Sequence, residues 1–383
     1  MISRRSLLAA GGAVPLAAAA PRPPEPPIVS RIVVEAGRIW TPVMIGDAGP
    51  FAFIFDTGAS VSAIDPRLAA RLGLSRLGRR RMTGIGGAVV VDFYLAKRIV
   101  LGDGLRQSSG VFAGIDVAGS SGLLTAGLFT SADSDLDFVR GEWRLWPTGR
   151  PNFDGMTHLG TIERRHADAS DQIVVEAVLD GQRLRLIVDT GAPGELLLFP
   201  HVVKRSGLWN DARPFAPERL RGIGGAAGRL GRVVRAQRLD VGPFAFDAPL
   251  VWLHDPGDSV DLRYDGLLGL PVIERLDLST EVAKGRLWAR ANGRAKPREN
   301  AGQSGMWLDR DGGGDGTRAR IAAVSPGSPA AEAGLKISDV VVGIDDWRAY
   351  IRRFAAPPGT AVGVLVETPG GPVLRTVTLR AYL

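Results

Sequence analysis

Followed by its alternation of apolar and polar positions, the chain is a succession of short strands punctuated by glycine and proline, with few stretches that keep a helical period. Two apolar runs, Phe53-Ile54-Phe55 and Leu186-Ile187-Val188, stand out. Each reads as a buried strand that runs straight into Asp-Thr-Gly, at Asp56-Thr57-Gly58-Ala59-Ser60 and at Asp189-Thr190-Gly191-Ala192-Pro193. Glycine permits a sharp turn there and leaves the carboxylate at the strand's end. One such triplet means little in 383 residues, where a surface turn is the default reading.

The surroundings of the two triplets match. Ile32-Val33-Val34-Glu35-Ala36, Pro42-Val43-Met44-Ile45 and a Gly/Asp/Pro turn from Gly46 to Pro50 precede the first. Ile173 to Leu179 and an Asp180-Gly181 turn, suited to a two-residue hairpin, precede the second. A short helix stopped by glycine is predicted after each, at Leu68 to Leu74 and at Val202 to Leu208. Gly84-Ile85-Gly86-Gly87 is then answered by Gly222-Ile223-Gly224-Gly225, and strand-like segments follow, ending in Leu101-Gly102 and Val241-Gly242. Leu136-Asp137-Phe138 with Gly141, Leu145 and Trp146 is answered by Leu276-Asp277-Leu278 with Gly285, Leu287 and Trp288. The offset drifts only from 133 at Asp56/Asp189 to 138 at Gly84/Gly222 and 140 at Asp137/Asp277. So small a drift implies an internal duplication with loop insertions.

This order of strand, Asp-Thr-Gly-Ala, helix and glycine-rich tip resembles the retropepsin-like aspartic peptidases over residues 28–290, with two lobes fused in one chain. The resemblance implies a mainly β, bilobed pepsin/retropepsin-like acid protease fold with a pseudo-twofold duplication. Lobe one would occupy 28–146 and lobe two 172–291, joined through 147–171, a stretch without apolar period that reads as a connection. It also implies that Asp56 and Asp189 form a catalytic pair. Thr57 and Thr190 would bond across the lobe interface beneath it, and Gly58 and Gly191 would let backbone approach the carboxylates. Gly84, Ile85, Gly86 and Gly87, with Gly222, Ile223, Gly224 and Gly225, would be flaps closing over a peptide; taken singly, each tip is an ordinary glycine-rich turn.

Amide hydrolysis without a metal or a nucleophilic side chain needs one group to activate water and another to protonate the departing nitrogen. Two adjacent carboxylates serve, because they resist ionising together. Such a pair titrates as a unit, so no separate roles follow for the two acids. Ala59 and Ala192 stand where pepsin-type enzymes carry a hydroxyl residue that would lower the carboxylate pKa. Activity at mildly acidic to near-neutral pH is therefore expected. Pro193, opposite Ser60 of the first half, removes a donor and makes the lobes unequal.

The last stretch differs in kind. Arg320 to Val324, then Ser325-Pro326-Gly327-Ser328-Pro329-Ala330-Ala331-Glu332-Ala333-Gly334-Leu335, then Asp339 to Asp345 give strand, short helix and buried strand. Residues 304–383 resemble a bacterial PDZ domain, with a groove helix within Trp347 to Phe354. A peptide terminus added as a strand is the functional reading, and a structural lid or docking module the plainer one. Residues 292–303 are a second linker.

Composition narrows the rest. Ser3-Arg4-Arg5-Ser6-Leu7-Leu8, an alanine-rich apolar run and Ala18-Ala19-Ala20 make residues 1–20 an export signal of twin-arginine type, followed by a Pro-rich tether at 21–27. The expected destination is the bacterial periplasm, with no stable membrane span after cleavage. Without Arg4 and Arg5, 45 basic residues face 40 acidic ones, a mature charge of about +5. Arg79-Arg80-Arg81 is the tightest basic run; it either biases the cleft towards acidic substrates or is a solvated strand edge. No basic-and-aromatic pattern points to nucleic acid. Zero cysteines exclude disulfides and thiolate chemistry. His158, His166, His201 and His254 lack ligand spacing, Gly119-Ser120-Ser121-Gly122 is not a nucleophile elbow, and Asp309 to Asp315 lacks the acid a calcium loop needs where Arg320 stands. No metal or cofactor is expected.

The sequence thus reads as an exported aspartic endopeptidase acting on peptide or protein substrates. Two rivals share the fold: a catalytically silent peptide-binding protein, and an interaction protein in which the PDZ-like domain functions and the lobes are scaffold.

Overall fold

The computed structural model describes residues 25–102, 104–117, 119–164, 170–258, 263–299, 302–310 and 317–383. The export signal at 1–20, most of the tether, His166 and most of the rejected calcium loop lie outside them.

The two Asp-Thr-Gly strands organise equivalent sheets. In lobe one, Ala48–Asp56 runs parallel to Gly122–Thr125, with Asp56 in register with Thr125. Gly122–Thr125 then pairs antiparallel with Ala63–Ile64, which runs parallel to Leu105–Gly114. Lobe two repeats the scheme: Gln182–Asp189 runs parallel to Gly266–Gly269, which pairs antiparallel with Leu196–Leu198, itself parallel to Leu250–Leu253. The expected fold class is the observed one, mainly β with two lobes related by duplication. The predicted Asp180-Gly181 turn joins Gln172–Leu179 to Gln182–Asp189, both its residues at positive φ, 47° and 85°.

The helices after the triplets form as their end signals dictate. Asp65 accepts from the Arg67 and Leu68 amides at 2.6 and 3.2 Å, Pro66 opens Pro66–Arg71, and Gly73 follows at φ 61°. Pro200–Ser206 ends on Gly207 in the left-handed region, φ 68°.

One expectation is corrected. Residues 147–171 are not simply a connection, because Thr157–Glu163 is a strand between Arg286–Ala291 and Gln172–Leu179. It carries only Leu159 and Ile162 as large apolar side chains, too few to set a period, and its two neighbours fix it through their ladders. A Cβ on Gly160 would lie 2.3 Å from the Val174 carbonyl oxygen, so only glycine fits this approach. The strand belongs to a six-strand layer under both lobes, where Asp133–Asp137 meets Leu276–Glu281 with Leu136 opposite Leu278. Apolar side chains from both lobes and from this layer form a continuous core, with Phe55, Leu136, Trp143, Val188 and Leu278 among them. That shared burial holds the lobes in fixed relation.

Residues 292–303 carry no helix or strand among those described, yet they are tied down. Glu299 bridges to Arg235 at 2.6 Å, and this guanidinium holds its carboxyl down to about 2. The C-terminal unit is a five-stranded antiparallel sheet, Met306–Arg310, Ala319–Val324, Val340–Val341, Ala361–Val366 and Val373–Thr378 in spatial order. Helices Pro329–Glu332 and Trp347–Arg352 complete its own core. It rests on lobe two: the Ser325 hydroxyl accepts from the Phe215 amide at 2.9 Å, the Tyr382 hydroxyl donates to the Phe215 carbonyl at 2.9 Å, and Arg219 meets Asp309 at 3.0 Å. Among the described residues no helix is long and apolar enough to cross a membrane.

Candidate active site

Each triplet leaves its strand at the lobe interface, where the side chain of one threonine reaches the backbone of the other half. The Thr57 hydroxyl donates to the Val188 carbonyl at 2.7 Å and accepts from the Thr190 amide at 3.0 Å. The Thr190 hydroxyl donates to the Phe55 carbonyl at 2.7 Å and accepts from the Thr57 amide at 3.0 Å. Both threonines are buried, at 1% and 0% exposure, so every one of these groups would otherwise lack a partner.

The four bonds bring the two carboxyls face to face. A Cβ on Gly58 would lie 2.3 Å from the Asp189 Cγ, and one on Gly191 2.3 Å from the Asp56 Cγ. Glycine is required at both positions because each acid rests against the opposite triplet. The side chains of Asp56 and Asp189 also act directly on one another. The arrangement is not symmetric. Asp56 Oδ1 accepts from the Gly58 and Ala59 amides at 3.0 and 2.9 Å. Asp189 Oδ1 accepts from the Gly191 amide alone, at 2.8 Å. The Ala192 amide turns instead to the Asp189 carbonyl at 3.2 Å, and Pro193 has no amide to offer.

Burial pushes both acids above the ordinary carboxylate range, and Asp189 the further. For Asp189 the charge and hydrogen bond of Asp56 add to burial, whereas for Asp56 the Ala59 amide works against it. Two amides reach Asp56 against one at Asp189, an asymmetry that favours negative charge on Asp56 within a pair that titrates as a unit. Arg38 lowers both. It begins the strand Arg38–Ile45, and its guanidinium donates to the Gly191 carbonyl of the other lobe. The sequence reading passed over Arg38, one of 47 basic residues. Its signal lies in the duplication: the matching strand Gln172–Leu179 begins with a neutral residue, so this charge has no counterpart.

The glycine-rich tips of the two lobes meet one another. Ile85 and Gly86 turn the hairpin of Ser75–Gly84 and Gly87–Leu101, and Ile223 and Gly224 turn that of Arg221–Gly222 and Gly225–Ala226. The Gly86 amide donates to the Ile223 carbonyl at 2.9 Å. A Cβ on Gly86 would lie 2.3 Å from the Gly225 oxygen, and one on Gly224 2.4 Å from the Gly87 oxygen. Ile85 crosses to an apolar wall of lobe two that includes Ile187, Leu197, Leu220 and Leu267, with Ala192. The hairpins are unequal, with strands of ten and fifteen residues in the first and two each in the second, a difference the matched tips did not reveal. Among the described residues, no group of three or more His, Asp or Glu could hold a metal ion.

The family model described as Aspartyl protease matches residues 41–126 and 175–272, one segment per lobe and one triplet in each. Among solved structures, the chain is similar to the aspartic proteinase from Irpex lacteus at 15% identity and a TM-score of 0.43, over 70% of this chain and 98% of that one. It is similar to Basic 7S globulin from soybean at 9% identity and a TM-score of 0.43, over 70% and 95%. No curated protein matches the chain in sequence.

Proposed function

We propose that the protein is an aspartic endopeptidase in which Asp56 and Asp189 activate one water molecule against a peptide bond. The observation that carries this reading is the pair of facing carboxyls, each against the other half's triplet glycine, fixed across the lobe interface by Thr57 and Thr190. The aspartyl protease match over both triplets supports it.

Ionised Asp56 takes a proton from water as the oxygen attacks the carbonyl carbon, while Asp189 gives its proton to the carbonyl oxygen. The tetrahedral species then collapses: the proton on Asp56 passes to the amide nitrogen, the carbon–nitrogen bond breaks, and one hydroxyl returns its proton to Asp189. The pair ends as it began. Glycine at 58 and 191 lets the substrate backbone come close, and the glycine-rich tips exclude bulk water once closed. With Ala59 and Ala192 supplying no hydroxyl and burial raising both acids, cleavage is expected at mildly acidic to near-neutral pH.

The C-terminal unit is proposed as a PDZ-like module that receives a peptide terminus by strand addition, with Trp347–Arg352 as its groove helix. The twin-arginine-type start at Ser3-Arg4-Arg5 supports export to a periplasm. A silent peptide-binding protein on the same fold is the second reading, favoured by the single amide that Asp189 receives beside Pro193.

Incubation of the full chain with a mixed peptide library, with mass spectrometric mapping of new termini, separates the two. Cleavage lost in both Asp56→Asn and Asp189→Asn is the expected result. Unchanged cleavage in either variant refutes the shared-proton mechanism.

A further inference from the structure

Strand registers trace one face outward from each acid. In lobe one, Ile54, two residues before Asp56, lies beside Leu123, which lies beside Ala63, then Ala113, then Phe93. Val91 shares the face of Phe93 and stands opposite Arg80, so Arg80 projects from the flap hairpin on the side of Asp56. Met82, Val91 and Phe93 pack together on that face, and the Arg80 guanidinium sits 5.1 Å above the Phe93 ring. Arg79 and Arg81 point the other way, Arg79 towards Asp92 at 3.7 Å. The basic run therefore gives one charge to the cleft and two to solvent. Among the described residues Arg80 has no ion-pair partner.

Lobe two repeats the path. Ile187, two residues before Asp189, lies beside Leu267, then Leu197, then Trp252, then Val233, which stands opposite Ala216. Glu218, two residues from Ala216 on the same strand, shares that face. Arg80 and Glu218 each stand four residues before the first glycine of their tip, Gly84 and Gly222. They are the same position in the two halves of the duplication, with opposite charge. Burial raises the Glu218 carboxyl against the opposing pull of the Arg219 amide and the nearby Arg221 charge, and a cation arriving beside it would offset more of that burial.

We propose that Arg80 and Glu218 are specificity-determining residues, and that the cleft selects extended peptides with an acidic side chain on the lobe-one side of the dyad and a basic one on the lobe-two side. Because a peptide has direction, this pairing sets which way round a chain lies. The proposal deepens the reading of the cleft as a peptide site and rests on it, but it does not require that the peptide be cut.

The test uses the full chain carrying Asp56→Asn and two fluorescein-labelled ten-residue peptides with one apolar centre. One is acidic before the centre and basic after it, and the other has these reversed. Fluorescence anisotropy should give Kd values differing by about tenfold, as two partly exposed charge contacts provide. The neutral changes Arg80→Gln and Glu218→Gln should each narrow the ratio, and Arg80→Glu with Glu218→Arg should invert it. Equal binding of the two peptides, no binding of either, or a ratio that survives the double change overturns the proposal. Loss of library cleavage by the unmodified chain with the ratio intact would instead strike the endopeptidase reading alone.

Discussion

Replacing Thr57 with valine keeps the shape of the side chain and deletes its oxygen. Two bonds go, the 2.7 Å donation to Val188 and the 3.0 Å acceptance from the Thr190 amide. The second loss is the heavier, because the Thr190 amide is fully buried and no other partner is in place. A net hydrogen bond contributes about 0.5–1.5 kcal/mol and an orphaned buried donor costs about 1–3 kcal/mol, so the single change should destabilise by roughly 2–4 kcal/mol. Thr190→Val removes the other two bonds and should cost about the same. Together they approach the whole stability of an ordinary domain. Serine at either position retains the oxygen and should restore most of the loss. The measurement is the urea midpoint followed by tryptophan fluorescence, alongside library cleavage. Cleavage should fall by about a hundredfold in each valine variant, since these bonds also set the carboxyl positions. A Thr57→Val protein with unchanged midpoint and activity, or a serine variant as damaged as valine, would refute the reasoning.

Arg38→Met removes a positive charge that favours the ionised form of both acids, so both pKa values rise. Both limbs of the profile of kcat/KM against pH should then move to higher pH, and a downward or absent shift contradicts the placement of Arg38. Gly191→Ala puts a methyl 2.3 Å from the Asp56 Cγ and should abolish cleavage, whereas Gly181→Ala, with open space around it, should leave cleavage intact although its φ of 85° lowers the melting temperature slightly. Asp189 has a folded pKa above its unfolded one, so as pH rises from about 4 to the raised value the unfolded state releases the proton first and stability falls. Asp189→Asn should flatten that fall, and melting curves from pH 4 to 8 with equal slopes in both proteins would disprove it.

Much of this architecture was legible because it is written twice. The triplets, the glycine-stopped helices and the Gly-Ile-Gly-Gly tips each have local signals, and their shared spacing turned weak motifs into a scheme of lobes. What stayed hidden is what breaks the repetition. Thr157–Glu163 lacked a period because its neighbours supply the pairing. Arg38 acts through a carbonyl 153 residues away, which no local pattern encodes. The short second hairpin follows from an irregular stretch around Arg219, whose side chain turns to the carbonyls of Ala227 and Gly228 and to Asp309. Opposite signs at Arg80 and Glu218 were visible as letters, but only the registers show that they share a face with the acids.

Under the proposed endopeptidase reading, the contact between the tips would govern which polypeptides can be handled. With Gly86 bonded to Ile223 and Ile85 seated on the far wall, the tips form a roof that joins the two lobes. Parting the roof would cost one amide bond and some isoleucine burial, about 2–4 kcal/mol, so opening is expected to be infrequent. A chain admitted in that interval is then encircled, which a compact surface loop cannot tolerate. Substrates of the proposed peptidase would therefore have to offer a locally unravelled segment, so that the fold would discriminate by the state of the polypeptide before any side chain is inspected.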